Sequence, residues 1–195
     1  MPWTFYDGSG NKLNTVATSG VLQNVVEDLT PQLGANLDLN GFNLAFPATQ
    51  TADAGANVLD DYEEGTFTPQ IADATHDGSG EGQTYTTQTG KYTKIGDLVF
   101  IQLYLAVNSL GTLTGGDTAH IEGLPFTTSG RGSLTVGAAG SLALNNASET
   151  VAANLNNGVT YITLRNWDST GGVSVLTITE FSAGGEIEIA GFYPV

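Results

Sequence analysis

Cysteine is absent from these 195 residues, and with it go disulfide staples, Cys-ligated zinc and thiol nucleophiles. Stability must come from packing. Positive charge is almost as scarce: five Lys plus Arg face twenty Asp plus Glu, a formal charge of −15. Such a surface repels phosphate backbones and anionic lipid, which disfavours nucleic acid and membrane as partners. The cations Lys12, Lys91, Lys94, Arg131 and Arg165 are scattered, so no local patch offsets the field. No window approaches the roughly 18 apolar residues of a membrane span. The opening Met1-Pro2-Trp3-Thr4-Phe5-Tyr6-Asp7 has neither a basic start nor a continuous apolar stretch, so no export signal is expected. The chain is expected to be assembled in a cytoplasm and carried out by another route.

What is present is a turn-rich β composition: 26 Gly, 40% apolar residues and only 13% charged ones. That apolar content can build a core, so disorder throughout is not expected. Residues 1–26 read as a hairpin, an aromatic cluster (Trp3, Phe5, Tyr6) followed by the turn-forming Asp7 to Asn11. Ser19 to Leu29 is the one stretch with helical spacing, through Val21, Leu22, Val25, Val26 and Leu29. From Leu33 to Phe46, Leu37, Leu39, Leu44 and Phe46 alternate with small or amide residues. So few apolar groups cannot bury a face unaided, and identical strands around a threefold axis would supply the missing surface. Residues 47–58 are small and polar, as in a linker or extended stalk.

After Leu59 the pattern becomes regular strands separated by Gly, Asn and Asp. Strands are expected near 66–71, 83–95, 97–108, 118–122, 133–144, 149–155, 158–164, 173–180 and 186–193. The expected fold class is therefore all-β: an N-terminal hairpin and short trimeric β stalk, then a jelly-roll-like β-sandwich head. Three segments follow: 1–30 as an anchor, 31–58 as a trimerising stalk and linker, and 59–195 as the head. Within the head, Val99, Ile101, Leu103, Leu105 and Val107 fill one side of a strand, while Leu98, Phe100, Tyr104 and Ala106 make the other mostly apolar. A strand apolar on both sides must be covered on both, by a loop or, as we favour, by a neighbouring subunit.

Candidate chemistry is thin. His76 lies in a Gly- and Asp-rich loop and His120 in a short strand, and neither has neighbours in a hydrolase arrangement. Asp60-Asp61-Tyr62-Glu63-Glu64 gathers four carboxylates, but a glycosidase pair must converge from separate elements across a cleft. Sequence neighbours cannot straddle a sugar in that way. Asp73 to Gly82 resembles a calcium or phosphate loop only loosely, lacking the Asp spacing, the terminal Glu and any following Lys; it reads as an exposed mobile loop. No catalytic residue, metal ligand or cofactor site is therefore assigned, and the chain is expected not to be an enzyme. Trp167, in Arg165-Asn166-Trp167-Asp168-Ser169, could stack on a sugar ring from a polar turn, and could equally be a core residue.

Thr30-Pro31-Gln32-Leu33-Gly34 and Leu37-Asp38-Leu39-Asn40-Gly41 resemble a segment of phage tail-fibre and virion-fibre proteins that precedes shaft or head modules. Leu59 to Pro69, with Tyr85-Thr86-Thr87-Gln88-Thr89-Gly90-Lys91-Tyr92-Thr93-Lys94-Ile95-Gly96, resembles the opening of a fibre-head domain in phage structural proteins. The resemblance implies a homotrimer on the virion surface, with Leu37, Leu39 and Leu44 towards the axis and Tyr62, Phe67, Tyr92 and Ile95 in the head core. It transfers no catalytic residue. The shaft is short for a tail fibre, which makes a head fibre or capsid decoration (cement) subunit as good a reading, with residues 1–30 gripping other virion proteins. The alternative is a tail-fibre receptor-binding module that recognises a host surface glycan through Trp167.

Overall fold

A computed structural model describes residues 9, 41, 43–46, 55, 58–59, 61–146, 148–168 and 171–195. The chain divides into two compact units, Met1–Ala45 and Phe46–Val195, and every strand described lies in the second. The expected N-terminal hairpin apart from Ser9, the helix at 19–29, Leu37 and Leu39 all lie outside the described residues.

The second unit is all-β, as the composition indicates. Its strands are β1 (Glu63–Phe67), β2 (Gln70–Ala72), β3 (Thr84–Ile95), β4 (Leu98–Ser109), β5 (His120–Glu122), β6 (Gly132–Gly140), β7 (Thr150–Leu155), β8 (Tyr161–Asp168), β9 (Gly172–Val175) and β10 (Glu186–Pro194). They form one sheet in the order β1-β3-β4-β10-β6-β7-β8-β5-β2, with β9 paired to β8, and every pairing is antiparallel. The head is this one antiparallel sheet, curled into a half-barrel. The curl is made at β6, whose Gly132 to Leu134 pair with β7 while its later residues pair with β10. A register shift between Glu188 and Ile189 marks the bend, since a bulge increases local twist.

Alternation builds the core. Val99, Ile101, Leu103, Leu105 and Val107 of β4 are all buried, as are Ile187, Ile189 and Tyr193 of β10. Ile162 and Leu164 of β8, Ile121 of β5, Ile71 of β2 and Leu155 of β7 complete the same cluster from the other half. Two cross-strand pairs on β1 and β3 set an aromatic ring against a glycine: Phe67 opposite Gly90, and Tyr92 opposite Gly65. Each ring lies where a Cβ on the facing glycine would be.

Three expectations are corrected. The strand near 66–71 is two strands, because Thr68-Pro69 interrupts pairing: Pro offers no N–H to a ladder. The strand near 173–180 stops at Val175 and gives way to the one-turn helix α1 (Ile178–Phe181). Thr177 caps it, and Glu180 reaches back to Thr177 N at 2.8 Å, a capping box. Ile95, expected in the head core, is 48% exposed, because it pairs with Leu98 across the Gly96-Asp97 turn on the outer side of the sheet. Of its companions, Phe67 and Tyr92 do pack against the core, while Tyr62 is half-buried against Phe46.

Candidate functional site

Strand β8 reads Tyr161-Ile162-Thr163-Leu164-Arg165-Asn166-Trp167-Asp168, and its period of two assigns alternate residues to opposite faces. Ile162, Leu164 and Asn166 point into the core, each no more than 1% exposed. Tyr161, Arg165 and Trp167 lie on the other face, with successive positions on that face about 6.7 Å apart; Thr163 falls on the same side but is itself buried. Trp167 is 54% exposed, with Val173 and Val175 of β9 opposite Trp167 and Arg165. The expected turn around Trp167 is thus a strand, and the residue stands on a backbone hydrogen-bonded on both sides.

Arg165 donates from Nε to Asn154 Oδ1 on β7 at 2.9 Å, which fixes the plane of the guanidinium. Among the described residues no carboxylate forms an ion pair with it. On the other side of Thr163 stands His120 of β5, its ring stacked on Tyr161 with centroids 4.3 Å apart and planes 17° apart. Burial pushes the His120 imidazole below its ordinary value, and the positive charge of Arg165 pushes it the same way. Glu122, paired with Tyr161, is pushed up by burial and by the charge of Asp77. The outer side of β5, β8, β7 and β9 thus carries an aromatic platform, a fixed cation and a stacked aromatic pair in one row.

The outer side of the other half differs. At one end Ile95, Leu98, Phe100 and Phe192 lie together, with the Phe100 and Phe192 rings 5.0 Å apart and Phe192 58% exposed. Towards the middle, two shallow grooves of about 410 and 430 Å³ share Lys91 and Gln102. At the far end Tyr104 donates to Glu186 at 2.7 Å. The apolar outer side of β4 expected from the sequence is therefore real at Leu98, Phe100 and the buried Ala106, and is interrupted by Gln102 and the Tyr104 hydroxyl.

The remaining candidates are engaged in structure. Within the acidic run, Asp60 lies outside the described residues. Asp61 pairs with Lys94, Glu63 accepts from the Tyr92 hydroxyl and Glu64 from the Tyr62 hydroxyl. The bond to Glu63 is the main reason the Tyr92 phenol is pushed up to about 12. Asp73 is buried and accepts from the backbone of Thr75, His76 and Thr114 at 2.8, 2.8 and 2.6 Å. Burial alone would raise its pKa, but these donors outweigh burial and hold the carboxyl well below the usual range. The loop read as exposed and mobile is exposed at its tip and pinned at its base by this carboxylate. Asp73 and Thr75 both meet the same nitrogen of His76, Nδ1, so this trio braces a loop and does not have the two-sided geometry of a catalytic relay. Among the described residues no three His, Asp or Glu side chains converge as metal ligands. Of the expected axial residues, Leu44 is 57% exposed, and Phe46 packs on Tyr62 with centroids 5.4 Å apart.

Sequence reasoning missed the row around Arg165, which it counted as one scattered cation, and the pairing of Phe100 with Phe192. The alternation that would have shown the row runs through Trp167, beyond the residue-164 end expected for that strand.

No known family model matches the chain, and no curated protein matches it. Among solved structures, the crystal structure of the Dettilon tailspike protein superposes with a TM-score of 0.54 at 19% identity, over 68% of this chain and 24% of the tailspike chain. The chain thus spans about a quarter of the length of that tailspike. At this identity the likeness is one of fold.

Proposed function

We propose that this chain is a surface component of a bacteriophage particle, a homotrimeric short fibre or capsid decoration subunit that displays the half-barrel head outward. The observation that carries the reading is the fold it shares with part of a tailspike. The resemblance of its Leu59 to Gly96 stretch to fibre heads supports the same placement. Trimerisation is supported by the Ile95, Leu98, Phe100 and Phe192 cluster: a contiguous, uncharged patch on an otherwise acidic protein is a surface that association would cover. Assembly would occur in the host cytoplasm, with residues 1–30 against other virion proteins. The reading is non-enzymatic, because the carboxylates and the His76 trio described above are already committed to bracing loops and strands. No cofactor is needed for it.

Light scattering on the purified chain tests the architecture. A trimer is expected, and Phe192→Asp combined with Leu98→Asp should shift it towards monomer with unchanged far-ultraviolet circular dichroism. A wild-type chain that stays monomeric at micromolar concentration refutes the trimer. Labelled antibody on intact particles tests the location, and absence of label from the particle surface refutes that part.

A second reading, a receptor-binding module for a host surface glycan, is favoured by one observation. Trp167 is exposed on a rigid strand and not used in the core. Trp167→Ala should then reduce host adsorption, and unchanged adsorption removes this reading.

A further inference from the structure

We infer that the outer row of β8 binds a carboxylate-bearing saccharide, with Trp167 as the platform for a sugar ring and Arg165 as the group that reads the acid. The inference rests on the glycan-binding reading and adds a ligand class and the residues that select it.

Acidic residues outnumber Lys plus Arg by twenty to five, so an Arg on this protein has abundant potential partners. Lys94 takes one, in Asp61. Arg165 has none among the described residues, although its guanidinium is held in place. Its one neutral partner among the described residues, Asn154, occupies Nε, and the two terminal nitrogens meet no described acceptor. A planar fork with a fixed orientation and two free donors suits a carboxylate, which accepts two parallel N–H bonds.

Geometry supplies the rest. Two residues along the same face, about 6.7 Å away, Trp167 presents its ring beside Val173, which is 47% exposed. A saccharide ring lying on that indole would place a substituent carboxylate over Arg165. Further along the row, the edges of the His120 and Tyr161 stack face the following ring. Burial and the charge of Arg165 both push His120 below its ordinary value, so Arg165 is the row's fixed cation. Because Ile162, Leu164 and Asn166 anchor the inward side of β8, the outward row is preorganised and binding need order little. The overall charge of −15 opposes this ligand at long range, so the contact at Arg165 must be short and specific.

The test is a printed panel of uronate- and sialate-bearing oligosaccharides, each beside its carboxyl-reduced, neutral counterpart, probed with the full chain. At least one acidic member should bind, tenfold or more tightly than its reduced form. Arg165→Gln should bring its affinity down to that of the reduced form, and Arg165→Lys, which keeps the charge but loses the fork, should fall between. Trp167→Ala should weaken both forms tenfold or more. Each variant should keep the wild-type urea midpoint, which separates a binding loss from misfolding. Equal binding of acidic and reduced forms, or an Arg165→Gln variant that still discriminates, overturns the inference and leaves glycan binding standing. Binding to no member of either kind overturns both.

Discussion

The Phe67 and Gly90 pair makes a quantitative test of how the β1 edge is held. A Cβ built on Gly90 would lie 2.7 Å from two atoms of the Phe67 ring, against an ordinary separation of about 3.5–4.0 Å. Gly90→Ala therefore forces the ring to move by close to 1 Å, and overpacking of that kind costs about 1–3 kcal/mol. Phe67 is half-buried, so Phe67→Ala forfeits part of the transfer energy of a Phe side chain, about 1–2 kcal/mol. In the double variant the ring is gone, the new methyl has room, and Ala regains about 0.5–1 kcal/mol over Gly in a strand. The double variant should then be no less stable than Phe67→Ala alone, a coupling of at least about 1.5 kcal/mol between the two sites. Urea unfolding followed by circular dichroism at one fixed protein concentration would measure it, with a Tm difference of about 2–4 °C per kcal/mol as a check. Costs that add to within about 0.5 kcal/mol would show that the ring does not cover the glycine.

Gly111→Ala should be costly, by about 1–3 kcal/mol, because Gly111 has φ +60° and its Cβ would meet the Glu81 carbonyl oxygen at 2.0 Å; Gly116→Ala, with open space around it, should change stability by under about 0.5 kcal/mol, and equal urea midpoints for the two would refute the assignment. Imidazole titration by NMR should find His76 above and His120 below the ordinary value, the first held up mainly by its hydrogen bond to Asp73 and the second pushed down mainly by burial; Asp73→Asn should lower His76, and the reverse order of the two rings would refute the geometry. The Asp73 carboxyl is depressed on folding, so its contribution to stability is full above its unfolded value of about 3.9 and is lost as pH falls towards the folded value. The difference in stability between wild type and Asp73→Asn should therefore shrink in acid, and a difference independent of pH between 6 and 2 (roughly the span of carboxylate titration) would contradict that.

The long central strands were legible because their signal is local. Twelve-residue β3 and β4 around Gly96-Asp97 follow from alternation on either side of a turn, and the buried side of β4 is the one the sequence indicates. The half-exposed end of that strand was legible too, since Leu98 and Phe100 have no polar alternative on their side. The end of β9 and the helix after it were harder, although Thr177-Ile178-Thr179-Glu180 does spell a capping box. Val173, Val175, Thr177, Ile178 and Thr179 are all β-branched, and that strand-like composition outweighed the cap. The row around Arg165 is a different case. It depends on Asn154 from β7 and His120 from β5 meeting β8, and no spacing in one strand reveals which strands will flank it. The same holds for Phe192 on Phe100, residues far apart in the chain that a direct cross-strand pairing joins.

The position of β10 in the sheet bears on how the head is made. It follows every other described strand in the chain, yet it sits between β4 and β6. During synthesis the β3 and β4 hairpin can form as soon as it emerges, and so can the meander of β6, β7 and β8. The two pieces have no direct ladder with each other until residues 186–194 arrive and join both. Until then β4 shows an open edge beside its buried-side valines, isoleucine and leucines, the arrangement most prone to pairing with the wrong chain. A nascent head therefore carries an adhesive edge on β4 until residues 186–194 cover it.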